Sequence, residues 1–119
     1  MPKTILIVDD NAPTRALFQG ILEKAGYQTL VAENGEIGLA LAQENQIDCA
    51  LIDQYMEPIG GFSFARHCKL YDLQFPMIMI TGNENNDLLI EARKEGFLSV
   101  MMKPVDPEHL LKLLARFCR

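Results

Sequence analysis

Short, unbroken apolar runs alternate along this chain with longer segments of helical periodicity. Thr4-Ile5-Leu6-Ile7-Val8 is β-branched, continuous and stops at Asp9 and Asp10, which suits a strand covered on both faces. Pro13 opens a helix: its fixed φ suits a first turn, and Leu17, Phe18, Ile21 and Leu22 recur at helical spacing before Gly26 ends the segment. A strand follows near Gln28 to Ala32. After it come a helix over residues 35–44, with Ile37, Leu41 and several alanines on one side, and the strand Cys49-Ala50-Leu51-Ile52-Asp53, which again ends on an aspartate. The pattern continues with a helix over residues 62–71, the strand Met77-Ile78-Met79-Ile80-Thr81, a helix over residues 86–94, a strand over residues 98–102 and a closing helix from Pro107.

Five strand–helix units of this kind predict an α/β fold, with right-handed crossovers and a five-stranded parallel sheet between two layers of helices. Ligands of such sheets bind beyond the carboxyl ends of the strands, near the point where strand order reverses. Those ends carry Asp9, Asp10, Asp53, Thr81 and Lys103, the last just before Pro104. No internal repeat beyond the unit itself, low-complexity stretch or linker is visible.

Composition narrows the function classes. With 119 residues, 49% of them hydrophobic and 23% charged, residues 1–119 make one domain. A chain of this length buries roughly 65% of its unfolded surface, so no disulfide or metal staple is needed. The net charge of -5 argues against direct DNA binding. Cys49, Cys68 and Cys118 are odd in number and form no C-x-x-C pair; they read as reduced core residues. No apolar run reaches the ~20 residues of a membrane span and no signal peptide opens the chain, so the expected location is cytoplasmic, without membrane contact.

Each rim residue has a plain structural explanation. Asp9-Asp10 can cap the helix that follows, Asp53 can form a turn, Thr81-Gly82-Asn83 has turn composition, and Lys103 can be a solvated surface lysine. Three carboxylates, a hydroxyl and an amine ending different strands of one sheet point instead to a shared site. Converging carboxylates repel and drive a proton onto one of them unless a cation intervenes; two or three oxygens with room for water and phosphate suit Mg²⁺ better than Ca²⁺. A carboxylate beside Mg²⁺ can attack a phosphoryl group while a lysine and a hydroxyl take up charge on the transferring oxygens. His67 and His109 stand alone in helical segments and imply no zinc.

Ile-Leu-Ile-Val-Asp9-Asp10, then Leu-Ile-Asp53-Gln-Tyr-Met56-Glu-Pro-Ile-Gly-Gly61, then Ile-Met-Ile-Thr81-Gly, then Met-Met-Lys103-Pro104 form one ordered series. In this series the chain resembles the receiver domains of bacterial two-component response regulators, the family of the chemotaxis regulator, from Lys3 to Phe117. The resemblance implies a three-layer, flavodoxin-like (βα)5 fold and a phosphoacceptor role for Asp53, fed by a histidine kinase or histidine phosphotransfer protein. It implies Mg²⁺ ligation by Asp10, by Asp9 directly or through water, by Asp53, and by the backbone carbonyl of Tyr55. It gives Thr81 and Lys103 the phosphoryl oxygens, and makes the peptide bond before Pro104 cis. Such a domain is a phosphorelay switch that dephosphorylates itself slowly and is not an enzyme in the ordinary sense. Its output is contact with a downstream effector protein or an output domain outside this sequence, with a homodimer through the last two helices as a further option.

Several positions depart from the family pattern. Met56-Glu57-Pro58 replaces the common Met-Pro with Gly61 still in register, and Gly60 stands where an acidic residue is common, as a plain turn. Val100 occupies a position, three before Lys103, where relatives carry an inward-swinging Tyr or Phe; altered coupling to the last helices is expected. Tyr55 and Asn83 flank the expected path of the hydrolytic water, and the bulk of Tyr55 predicts slow self-dephosphorylation. Met77, Met79, Met101 and Met102 read as core or half-buried packing, and Leu110, Leu111, Leu113, Leu114 and Phe117 as the buried stripe of the last helix. Two alternatives stay open: a receiver-like interaction module that is never phosphorylated, and a haloacid-dehalogenase-type phosphatase, which wants Asp-x-Asp where this chain has Asp53-Gln54-Tyr55.

Overall fold

The structure is a computed structural model describing residues 2–57, 59–82 and 85–118. Pro58 and Asn83, and with them the shifted proline and one flank of the expected water path, lie outside the described residues. In chain order the elements are β1 (Thr4–Val8), α1 (Ala12–Lys24), β2 (Gln28–Ala32), α2 (Gly35–Glu44), β3 (Cys49–Asp53), α3 (Gly61–Leu70), β4 (Met77–Thr81), α4 (Asn86–Lys94), β5 (Ser99–Met102) and α5 (Pro107–Phe117). All five strands are parallel, in the order β2-β1-β3-β4-β5. Strand order therefore reverses between β1 and β3, and the crevice beyond their carboxyl ends is the expected ligand position.

Continuous apolar strands work here because both faces of the sheet are covered. Leu6, Val8, Ala50, Ile52 and Met79 face a core completed by Leu39 and Ala42 of α2, Phe64, Ala65 and Cys68 of α3, and Leu88 and Ala92 of α4. The alternate residues Ile5, Ile7, Cys49, Leu51, Ile78 and Ile80 face a second core with Phe18 and Leu22 of α1 and Leu110 and Leu114 of α5. The period of two distributes one apolar run between two cores. Helix α1 starts at Ala12, not Pro13, because Asn11 is its cap: the Asn11 Oδ1 accepts from the Thr14 backbone N–H at 2.9 Å. Capping by Asp10 is thereby excluded, and Asp9 acts only one step upstream, accepting from the Asn11 N–H at 2.9 Å. Gly26, at φ 98°, turns the chain out of α1, a conformation that favours glycine.

The three cysteines are buried and unpaired, and burial pushes the Cys49 and Cys68 thiols up to about 12. Met77, Met79 and Met101 are core residues, but Met102, the last residue of the edge strand β5, is 46% exposed. On α5, Leu111, Leu113 and Phe117 pack against the second core, so its apolar stripe is used within the fold. Helix α3 begins at Gly61 and ends at Leu70, one residue earlier at each end than the periodicity predicts, and β5 starts at Ser99. No helix among the described residues is long and apolar enough to cross a membrane.

Candidate functional site at the carboxyl edge of the sheet

The register Val8↔Ile52 puts Asp9 and Asp53 one step further along neighbouring strands, on either side of the reversal point. Both are buried, at 1% and 6% exposure, while Asp10 is exposed. Asp9, Asp10 and Asp53 each offer a carboxylate oxygen, all within 4.8 Å of one another, and form the metal-capable acidic group found among the described residues. Thr81, fully buried, ends β4 one residue past Ile80, the register partner of Asp53. Lys103 follows β5, anchored by its N–H to the Thr81 carbonyl at 2.8 Å, and the Lys103–Pro104 peptide is cis.

Electrostatics bind the cluster together. The Lys103 ammonium lies 3.2 Å from Asp9 Oδ2 and 3.5 Å from Asp53 Oδ1, bridging the two buried carboxylates. Burial, then the neighbouring Asp9 charge, push Asp53 up to about 6 against the restraining effect of Lys103, with Asp10 adding to the rise. Burial by itself would lower the Lys103 pKa, but Asp53 and Asp9 together reverse this and hold the ammonium charged. Asp9 Oδ2 is buried without a hydrogen bond, so its ion pair with Lys103 is close but not aligned as one. A buried, under-satisfied carboxylate oxygen beside two further carboxylates suits a hard cation with oxygen ligands.

Two residues take parts that the sequence did not reveal. Gln54 accepts from the Thr81 hydroxyl through its Oε1 at 2.8 Å, and Arg15 donates to the Asp9 backbone carbonyl at 2.7 Å. A polar residue directly after the strand-ending Asp53 was the available signal for Gln54. Tyr55 stands in the loop after β3 with its side chain 66% exposed; with Asp10, Gln54, Met56, Glu57 and Gly60 it lines an open hollow of about 380 Å³. Glycine at Gly61 is required by close approach, since a Cβ would sit 2.9 Å from the Asp53 carbonyl oxygen. The histidines are elsewhere: His67 is tied through Nδ1 to the Ser63 carbonyl at 2.7 Å, and His109 is exposed on α5. Val100 is half-buried against the first core.

A five-stranded parallel sheet with an acidic crevice at its reversal point defines a class of α/β signalling domains, and direct comparison bears this out. The response regulator receiver domain family matches residues 5–115, and the chain belongs to that family. Its members are regulatory phosphoacceptor domains in two-component signalling rather than enzymes, which removes the phosphatase alternative. Protein PilH of Pseudomonas aeruginosa is 35% identical over 112 residues, covering 92% of this chain and 93% of PilH. The phosphate regulon transcriptional regulatory protein PhoB of the same organism is also 35% identical, over 98% of this chain, but the chain spans only 52% of PhoB. Among solved structures, chemotaxis protein CheY4 of Vibrio cholerae superposes with a TM-score of 0.93 at 29% identity, over 98% of this chain and 99% of CheY4.

Proposed function

We propose that this receiver domain accepts a phosphoryl group on Asp53 from a phosphohistidine of a histidine kinase or phosphotransfer protein, and that the aspartyl phosphate switches contact with a downstream effector. The observation that carries the reading is the bridging of two buried carboxylates, Asp9 and Asp53, by the Lys103 ammonium at the strand-reversal point. An Asp53 oxygen attacks phosphorus, an O–P bond forms, the N–P bond of the donor breaks, and the imidazole leaves and takes up a proton from water. Near neutral pH a carboxyl with a pKa of about 6 is mostly ionised and competent to attack. The Lys103 ammonium then pairs with a phosphoryl oxygen and the Thr81 hydroxyl donates to another. Asp9, Asp10, Asp53 and the Tyr55 backbone carbonyl would hold Mg²⁺, which when bound supplies charge neutralisation for the carboxylates and the incoming phosphoryl oxygens.

Incubation with acetyl phosphate and Mg²⁺, followed by intact mass, tests this. One phosphoryl adduct is expected on the natural chain and none on Asp53→Ala. No adduct with acetyl phosphate, phosphoramidate or a phosphohistidine protein overturns the proposal and leaves the interaction module that is never phosphorylated.

A further inference from the structure

The residue after the phosphoacceptor position has its backbone locked from both sides: the Gln54 N–H donates to Ile80 O at 3.0 Å, and its carbonyl accepts from the Gly61 N–H at 2.9 Å. Its side chain is thereby rooted between β3, β4 and the start of α3, and crosses to β4, where Oε1 takes the Thr81 hydroxyl at 2.8 Å. A hydroxyl carries one hydrogen, so while that hydrogen points at Gln54 it is not given to any other acceptor. Thr81 is fully buried and β-branched, so its side chain rests in one of few discrete rotamers and not in a continuum.

We propose that Gln54 is a resting-state latch, a positioning residue that holds the Thr81 hydroxyl away from the Asp53 site until a phosphoryl oxygen outcompetes it. This rests on the phosphoacceptor reading above. The exchange is directional because an anionic phosphoryl oxygen is a stronger acceptor than a neutral amide. The released amide has somewhere to go: Gln54 also lines an open groove of about 510 Å³ between α3 and α4, with Phe62, Asn85, Leu88 and Glu91. Engagement of Thr81 at the site and a change in that groove are then one event, linked through a single side chain.

The latch is tested first without any phosphate. In the natural chain, three-bond couplings to the Thr81 methyl carbon are expected to report one χ1 rotamer, and in Gln54→Met, or in Gln54→Ala if the first variant folds poorly, a shifted rotamer population. Unchanged couplings overturn the latch. The second arm is titration with beryllofluoride and Mg²⁺, followed by NMR. Loss of a neutral hydrogen bond to the resting state should tighten binding by roughly 2- to 10-fold. Equal or weaker binding overturns the proposal, weaker binding meaning that the amide serves the bound anion directly. In a Thr81→Ala background the gain should vanish; a gain that persists shows that Gln54 acts through something else and also overturns it. If the natural chain takes up no beryllofluoride at all, the phosphoacceptor reading falls, while the coupling measurement still decides the latch.

Discussion

Replacing Asp53 with asparagine should make the metal-free protein more stable near neutral pH, and by an amount that depends on pH in a defined way. The folded chain keeps the Asp53 proton up to about pH 6, whereas an ordinary aspartate releases it near 3.8. Between those values the native state binds more protons than the unfolded state, so stability falls as pH rises. The contribution is fully present below 3.8 and is lost as pH climbs through about 6. At about 1.36 kcal/mol per unit, the whole difference is worth about 3 kcal/mol, of which roughly 2 kcal/mol is lost between pH 4.5 and 7.5. Asparagine resembles the protonated carboxyl in shape and charge and does not titrate. Urea unfolding of both chains in EDTA at those two pH values measures the gap, which should widen by about 2 kcal/mol in favour of Asp53→Asn at the higher pH. Parallel pH profiles would refute the reasoning, since they would mean that burial and Asp9 do not raise the Asp53 pKa. With Mg²⁺ added at pH 7.5 the natural chain should recover, by about 2.7 kcal/mol at a hundredfold excess over Kd, and Asp53→Asn should recover less because it keeps only two of the three clustered carboxylates proposed to hold the ion.

Lys103→Ala leaves Asp9 and Asp53 buried without their common cation; metal-free stability at pH 7 should fall by on the order of 1–3 kcal/mol, and a ¹³C carboxyl titration should place Asp53 above its present value. Gly61→Ala puts a Cβ 2.9 Å from the Asp53 carbonyl oxygen and 3.2 Å from the Gln54 Cα, both backbone atoms that cannot step aside; urea unfolding should show a loss of about 1–3 kcal/mol, and amide shifts should move around Asp53 and Gln54. Phe64→Ala empties a fully buried ring site beneath α3 and should cost about 3–5 kcal/mol in the same assay, with no change in the pH dependence assigned to Asp53.

Strand limits were legible because they are written locally. The bounds of β1, β2, β3 and β4 coincide with the predicted runs, which are followed by Asp9, Glu33, Gln54 and Gly82, polar or turn-forming residues that break the apolar pattern. Helix starts were less legible where two capping signals compete. The Asp9-Asp10 pair precedes Pro13 as a cap would, yet Asn11 fills that role because it lies three residues before the Thr14 N–H that it accepts from. The convergence of Asp9, Asp10 and Asp53 could be read once the strand ends were placed, since a parallel sheet brings all carboxyl ends to one edge. Asp9 is buried while Asp10 is exposed because Asp9 directly follows β1 and sits against the Lys103 ammonium, whereas Asp10 is already in the bend that leads to α1.

What no local pattern encodes is the partner that each buried polar group selects. Lys103 could have reached solvent, as lysines commonly do, and its place between Asp9 and Asp53 depends on β5 lying beyond β4 and on the turn that follows it. Gln54 and Thr81 are 27 residues apart in sequence, and their hydrogen bond exists only because β3 and β4 are neighbours in register, with Asp53 opposite Ile80. A polar side chain directly after a strand end has two options, solvent or a buried partner across the sheet. Thr81 has no solvent exposure, and the amide oxygen of Gln54, directly after the adjacent strand, meets its hydroxyl at lower cost than an unmade bond. The chemistry of this edge therefore lives at two levels: the charges are set by strand ends visible in the sequence, and the resting position of the hydroxyl is set by the pairing of β3 with β4.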